Sequence, residues 1–478
     1  MNTQLLEAAH RLDTAGRWPE AAEAYRAFLT LEPRHAGAWA DLGGLLLVME
    51  HPLEAREACQ RALELAPGLP EALTNLACLL VTQRHFGAAA ELFAKILAED
   101  PRRNDARLAL ADCQWKQGQL PAARATLAGV LAQDPASPDG HRMLCRILTE
   151  AGEPARVLEE VRRHFAARGL AGAPEALWEE SQFSLLAGDL PGAWDPYESR
   201  LGLDRPGRPQ THPHHPRWQG EPFPGRTLLV EFEQGLGDTL MFARFLTLAK
   251  ARGGRVLLRA QAELAGLLAT CPGVDAVLTP GDPLPPFDLH VPLLSLPGLF
   301  RTALADLPGE VPYLRIPDQV PHRAALAQLL APSAGRIRVG LAWAGSPAHG
   351  RDAERSLPPA LLAPLAALSG VAWFSFHFGP GTAPVPGLIP LAPHLADFSD
   401  SAYALGAMDL LITVDTALAH LAGALGVPAL VLLHHFPDWR WLLGRADSPW
   451  YPTLRLYRQP APGAWAPAIQ QILADLSS

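Results

Sequence analysis

Pro33, Pro67, Pro101 and Pro135 recur at intervals of 34 residues, and Gly16, Glu50, Arg84, Gly118 and Gly152 keep the same interval at another phase. A fixed period of this length restricts the chain to a repeated supersecondary unit, no copy of which can bury its apolar face without a neighbour. In AWADLGGLLLVMEHPLEAREACQRALELAP, Trp39, Leu42, Gly43 and Leu46 lie on one stripe of a first helix, and Ala55, Cys59 and Ala62 on one stripe of a second. Small residues such as Gly43 and Ala55 let the two helices approach, and the periodic proline stops the second helix.

Period and pattern together resemble the tetratricopeptide repeat. Units begin near residues 2, 36, 70, 104 and 138, and a worn pair at 174–200 suits a terminal cap, so the expected array spans residues 1–203. An α-helical solenoid of this kind offers a concave groove to a peptide or protein; a stack that only supports its neighbour is the plainer alternative. No residue in the array identifies a ligand.

The length of 478 residues suggests about three domains. A net charge of −9 leaves no basic face for a nucleic-acid backbone, so no nucleic acid is expected as partner. The start MNTQLLEAAHRLDTAG lacks the basic-then-apolar order of a leader, and no long uninterrupted apolar run follows, so the expectation is a cytoplasmic chain without a transmembrane segment. Five cysteines without CxxC spacing indicate neither a disulfide framework nor a zinc site.

Residues 204–225, DRPGRPQTHPHHPRWQGEPFPG, are dense in proline and glycine and read as a linker. Its His212, His214 and His215 lack carboxylate or cysteine partners at ligand spacing, so a packed or solvated segment is expected rather than a metal site. Beyond it the period changes. RTLLVEF, RVLLRA, DAVLTP and FDLHVPLL read as strands separated by helices, and after a break the alternation resumes with IRVGLAWAG, LPPALLAPLAAL, VAWFSFHFG, SAYALGAMD, LLITVD, ALAHLAGALG and PALVLLHH. Such alternation demands parallel sheets with crossover helices. Two Rossmann-like domains facing a cleft are expected, at 226–318 and 336–478 with an interdomain linker at 319–335, and ligands belong at the carboxyl ends of their strands.

Three stretches carry candidate chemistry. In EQGLGDTLMFARF, Gly235 and Gly237 are expected to permit positive φ and close approach at a strand-to-helix turn, and Asp238 stands where the helix begins. Asp238 suits either a helix cap or a general base that takes the proton of an attacking hydroxyl. No Lys-Ser or Lys-Thr follows the second glycine, which excludes a Walker loop. In LLITVDTALAHLAGALG, Asp415 ends a strand and more readily orders the turn than touches an anion. Thr416 and the first backbone N–H groups of the next helix suit a phosphate, with His420 one turn on. In GLAWAGSPAHGRDAERSLPPALL, Ser346, His349, Arg351 and Arg355 follow a strand end, where hydroxyl and guanidinium groups suit a diphosphate or are simply solvated.

With these motifs, the second half resembles the heptosyltransferase-like glycosyltransferases, family 9, in the version fused behind tetratricopeptide repeats. The resemblance runs over residues 210–462 and rests on EQGLGDTLMFARF, GGRVLLRAQAELAGLL, PPFDLHVPLLSLPGLF, VGLAWAGSPAH, DLLITVDTALAHLAGALGVP and PDWRWLLGRADSPWYPTLRLYRQP in that order. It implies a GT-B fold and an inverting, metal-independent transfer with no cofactor, from a nucleotide-diphosphate sugar to a protein or glycan acceptor brought by the repeats. It assigns Asp238 as base toward the acceptor, and Thr416, Ala417 (through its backbone N–H) and His420 to the donor diphosphate; Ser346 and Arg355 join them on the chemistry of their side chains. Trp343, His377, Asp438 and Trp439 become candidate donor-pocket residues. The tryptophans of PDWRW either close the two halves on each other or stack under a base or sugar. Relatives read like Ser-Leu-Gln-Lys-Gly where this chain has SFHFG, so Phe378 stands at a cationic position. Two other readings fit the same architecture: a scaffold that binds without turnover, and a protein O-glycosyltransferase of the O-GlcNAc transferase kind, whose catalytic motifs the quoted segments do not match.

Overall fold

The computed structural model describes all residues except 1, 205–206, 309–310, 347–351, 379–384, 462 and 478. It divides into two compact units, Met1–Leu170 and Ala171–Ser478.

The first unit is a tetratricopeptide-type solenoid of five helix pairs. They are α1 (Asn2–Thr14) with α2 (Trp18–Leu31), α3 (Ala36–Val48) with α4 (Pro52–Leu65), α5 (Pro70–Thr82) with α6 (Phe86–Glu99), α7 (Asn104–Lys116) with α8 (Leu120–Gln133), and α9 (Pro138–Glu150) with α10 (Pro154–Ala167). Each periodic proline follows the second helix of its pair by two residues, as its missing N–H requires. The other periodic position is the turn inside each pair: Gly16, Glu50, Arg84, Gly118 and Gly152 all have φ between 60 and 74°. The backbone there is left-handed whether or not the residue is glycine. Close approach explains Gly43, since a Cβ at that position would lie 2.5 Å from the Cys59 sulfur across the α3–α4 contact.

The second unit opens with the worn pair, α11 (Pro174–Ala187) and α12 (Leu190–Tyr197). These helices belong with the sheets and not with the array: Leu185, Leu190, Ala193, Trp194 and Tyr197 share one core with strand residues Leu228 and Val230, and the Trp194 indole donates to Thr302 O at 2.8 Å. The boundary therefore falls at 170/171 instead of 203/204. The segment read as a linker is likewise built in. Trp218 and Phe223 are fully buried, Trp218 N donates to His290 O, and His212 pairs with Glu231.

Two all-parallel sheets follow. The first, of order β3-β2-β1-β4, is made of β1 (Thr227–Glu231), β2 (Arg255–Arg259), β3 (Ala276–Leu278) and β4 (Leu289–Pro292), with α13 (Leu236–Phe242), α14 (Leu246–Lys250) and α15 (Ala265–Leu268) between strands and α16 (Leu296–Leu299) after them. Past α17 (Arg323–Leu330), the second sheet has order β10-β9-β8-β5-β6-β7. Its strands are β5 (Ile337–Ala342), β6 (Val371–Ser375), β7 (Ile389–Pro390), β8 (Leu410–Val414), β9 (Ala429–Leu433) and β10 (Leu454–Arg458), with α18 (Asp352–Arg355), α19 (Phe398–Gly406), α20 (Ala417–Leu425) and the closing α21 (Trp465–Ser477). Strand order reverses between β1 and β4 in one sheet and between β5 and β8 in the other, and crevices form at such reversals. One expected helix is missing: LPPALLAPLAAL forms a 3-10 segment at Pro359–Ala367, because Pro364 cannot donate within an α-helix.

Candidate functional site

The two reversal points meet. The start of α13, after β1, packs on the start of α20, after β8: a Cβ built on Gly237 would lie 2.8 Å from His420 Cδ2 and 3.5 Å from Ala417 Cα. Gly237 is required for this approach and not for positive φ. Gly235 has φ −88°, and the left-handed residue of the turn is Gln234 at 61°, which corrects the expectation for both glycines.

Asp238 fills the helix-capping role and is ion-paired as well. Its Oδ2 accepts from Gly235 N at 2.9 Å, tying the helix start, while Oδ1 receives the Arg440 guanidinium from the 3-10 turn Trp439–Trp441. Arg440 also pairs with Asp438 at 2.7 Å and lies over the Trp439 ring at 4.5 Å. Burial pushes the Asp238 carboxyl above its usual range against the pull of Arg440. For Asp438, Arg440 and a backbone N–H overcome burial and hold the carboxyl low. Burial opposes the Arg440 charge, but the two carboxylates more than offset it and raise its pKa.

On the other side, Asp415 directly follows β8 and is pushed up to about 6 by burial and by the like charge of Asp438. Thr416 is the N-cap residue of α20 but its hydroxyl caps nothing; it lies 3.4 Å from that of Thr413. The first N–H groups of α20 thus lack the side-chain acceptor that usually satisfies them. His420 is placed differently from the expectation. Its Nδ1 is 3.0 Å from the Tyr451 hydroxyl, its ring stacks on Trp441 at 5.3 Å, and burial, with Arg440, pulls its pKa down to about 3. A neutral, packed imidazole offers a phosphate no charge.

The remaining candidates separate. Trp343 and His377 come together, ring centroids 4.4 Å apart, and Ser346 is exposed at the β5 end. Arg355 pairs with Asp352 at 3.0 Å, and both press on Gly345, where a Cβ would lie 2.5 Å from Asp352 Oδ1. Phe378 is 63% exposed. His349 and Arg351 lie outside the described residues. Trp439 is buried among Trp194, Tyr197, Phe242 and Trp450. Among the described residues, no cluster of His, Cys, Asp and Glu could hold a metal ion, and no helix is long and apolar enough to cross a membrane.

Sequence reasoning missed the ties around the site. Nothing local to PDWRW marks Arg440 as the cation that reaches Asp238. Arg244, in the same stretch as Asp238, is buried with its guanidinium over Tyr313 and Tyr451 and donates to Trp450 O at 2.9 Å. A buried arginine has no local pattern; only its partners, some two hundred positions on, reveal it.

Comparison with known proteins agrees with the first unit. Tetratricopeptide-repeat family models match residues 6–70 and 80–147. The chain is similar to Protein FlbA of Caulobacter vibrioides, 28% identical over 345 residues, a match covering 65% of this chain and 57% of FlbA. The chain thus spans little more than half the length of that relative. Among solved structures, PilW, a type IV pilus biogenesis factor, covers 42% of this chain and is itself 93% covered, with 21% identity and a TM-score of 0.37. YrrB, described as a tetratricopeptide-repeat protein with an unusual peptide-binding site, gives 36% and 90% coverage, 20% identity and a TM-score of 0.31.

Proposed function

We propose that residues 226–478 form a GT-B glycosyltransferase that moves a sugar from a nucleotide-diphosphate donor to a protein or glycan acceptor recruited by the repeats. One observation carries the reading: Asp238 and the uncapped start of α20, expected from sequence to serve acceptor and donor, come from the reversal points of two parallel sheets and lie side by side. Tetratricopeptide repeats point to a protein partner, which suits a polymeric acceptor.

In this reading the acceptor oxygen attacks the anomeric carbon, Asp238 takes the hydroxyl proton, and the carbon–oxygen bond to the diphosphate breaks. The first N–H groups of α20, Ser346 and Arg355 receive the charge that develops on the leaving group. Asp238 cannot act as a base while Arg440 holds it, and no sugar fits while Gly237 touches His420. The reaction therefore requires the helix starts to part and Arg440 to exchange its carboxylate partner for the incoming diphosphate.

A second reading is favoured by that same closure. An ion-paired Asp238 and interlocked helix starts suit a scaffold that binds through its repeats and turns nothing over. A thermal-shift panel of nucleoside diphosphates separates the two, since a ligand at about 100 times its Kd adds roughly 2.7 kcal/mol to the native state. A shift with at least one diphosphate is the transferase result; a flat panel favours the scaffold.

A further inference from the structure

A cavity of about 270 Å³ opens at the carboxyl end of β1, lined by Trp178, Arg200, Arg208, Pro209, Glu233 and Gln234. It lies below the usual range for ligand pockets, roughly 300–1,000 Å³, so one small ring fits and a dinucleotide does not.

Its floor is built and electrically closed. Arg200 donates to both oxygens of Glu233, at 2.9 and 2.7 Å, and to Ser295 Oγ at 2.8 Å, while Glu233 Oε1 also accepts from Leu294 N. Arg200 and Glu233 are 4% and 2% exposed, so neither has charge to spare. One wall is Trp178 of α11, packed on Tyr197 at 5.3 Å. The other is the strap at 207–209, where Gly207 O accepts from Gln234 N at 2.8 Å and holds Gln234 in its left-handed turn. The strap fits without clearance: a Cβ on Gly207 would lie 2.9 Å from Gln234 Cα.

Among the described lining residues the uncompensated charge is that of Arg208. It is exposed, donates one bond to Leu201 O at 2.8 Å, and among the described residues has no carboxylate within ion-pair distance. The described lining is therefore net cationic beside an aromatic wall and a side-chain amide.

We infer that this cavity binds a small hydroxylated carboxylate of monosaccharide size, with its ring against Trp178, its carboxylate on Arg208 and its hydroxyls on Gln234. The site uses neither Asp238 nor the start of α20 and stands apart from the transferase reading. Because Gln234 immediately precedes the Gly235–Asp238 turn, an occupant also braces that turn.

Saturation-transfer NMR and calorimetry on the full chain test this with D-glucuronate against its neutral counterpart D-glucose. D-glucuronate is expected to bind about tenfold tighter, the increment of one charge-assisted contact. Arg208→Gln, an exposed substitution that leaves the floor intact, is expected to erase the difference. Trp178→Ala is expected to weaken both sugars, with circular dichroism to verify its fold. Equal affinity for the two sugars, binding unaffected by Arg208→Gln, or no binding of D-glucuronate overturns the proposal. D-glucuronate binding beside a flat nucleoside-diphosphate panel would remove the transferase reading and leave this site standing, and the converse result would do the opposite.

Discussion

The two units treat charge in opposite ways. In the solenoid, ion pairs such as Arg17–Glu20 and Arg61–Glu64 lie one helical turn apart with both side chains about half exposed. In the second unit, Arg200–Glu233 and Arg440–Asp238 join residues 33 and 202 positions apart and are largely withdrawn from water. Exposed pairs contribute little because water already solvates both ions, whereas a buried pair that loses one member strands the other. The second unit thus carries ion pairs, beside the helix starts and the β1 turn, from which neither member can be removed singly. The last pair of the solenoid departs from the exposed pattern, with His141 Nδ1 2.5 Å from the buried Glu160 and Nε2 2.8 Å from Pro135 O.

The comparison breaks or holds first at Arg440. Arg440→Met leaves Asp238 and Asp438 without their shared cation and is expected to cost about 3–5 kcal/mol, against under about 1 kcal/mol for Arg61→Met. Hydrogen exchange reads each locally, in the amides of α13 and α20 for the first and of α4 for the second. Similar losses in both would abolish the distinction.

Packing comes next and should not distinguish the units. Gly237→Ala forces a methyl against His420, and Gly43→Ala forces one against Cys59; each is expected to cost about 1–3 kcal/mol in urea denaturation. A neutral result at Gly237 would mean that the helix starts are already apart in solution.

Acid sharpens the contrast further. The folded pKa of His420, about 3, lies below its ordinary 6.5, so between these values the unfolded chain binds a proton that the folded one refuses. Its neutral burial thus contributes stability at neutral pH that is lost as pH falls from 6.5 toward 3. Stability measured against pH for the wild type and His420→Leu should show the wild type losing ground in that window; parallel curves would contradict a sealed histidine.

The smallest effect belongs to the solenoid turns. Arg84 occupies a left-handed position that glycine fills in three of the other pairs, so Arg84→Gly is expected to stabilise the first unit by about 0.5–1 kcal/mol in thermal unfolding.

Legibility in the sequence follows the range of the interaction. The solenoid could be read from its period and its prolines, because each unit repeats a local solution; that the second periodic position is a left-handed turn came from the backbone itself. The alternation of strands and helices was equally plain, since periodicity is local too. Departures came where tertiary packing overruled local pattern. The pair at 174–200 keeps the repeat's helices but gives Trp194 and Tyr197 to the sheet core, and the Pro-rich strap hides a buried Trp218 and a His212–Glu231 pair. At the site, Asp238 and Thr416 stood out because turns after strands have local signatures. The embrace of Asp238 by Arg440 and the burial of His420 against Tyr451 had none.

Turnover by Asp238→Asn tests the central claim most directly, with nucleotide-sugar cleavage or transfer followed alongside nucleoside-diphosphate binding. The account predicts turnover in the wild type and a fall of about 10²–10⁴ in the variant, the span expected for loss of a general base, with binding retained. A variant as active as the wild type, or a wild type that binds no diphosphate and turns over no nucleotide sugar, would contradict it.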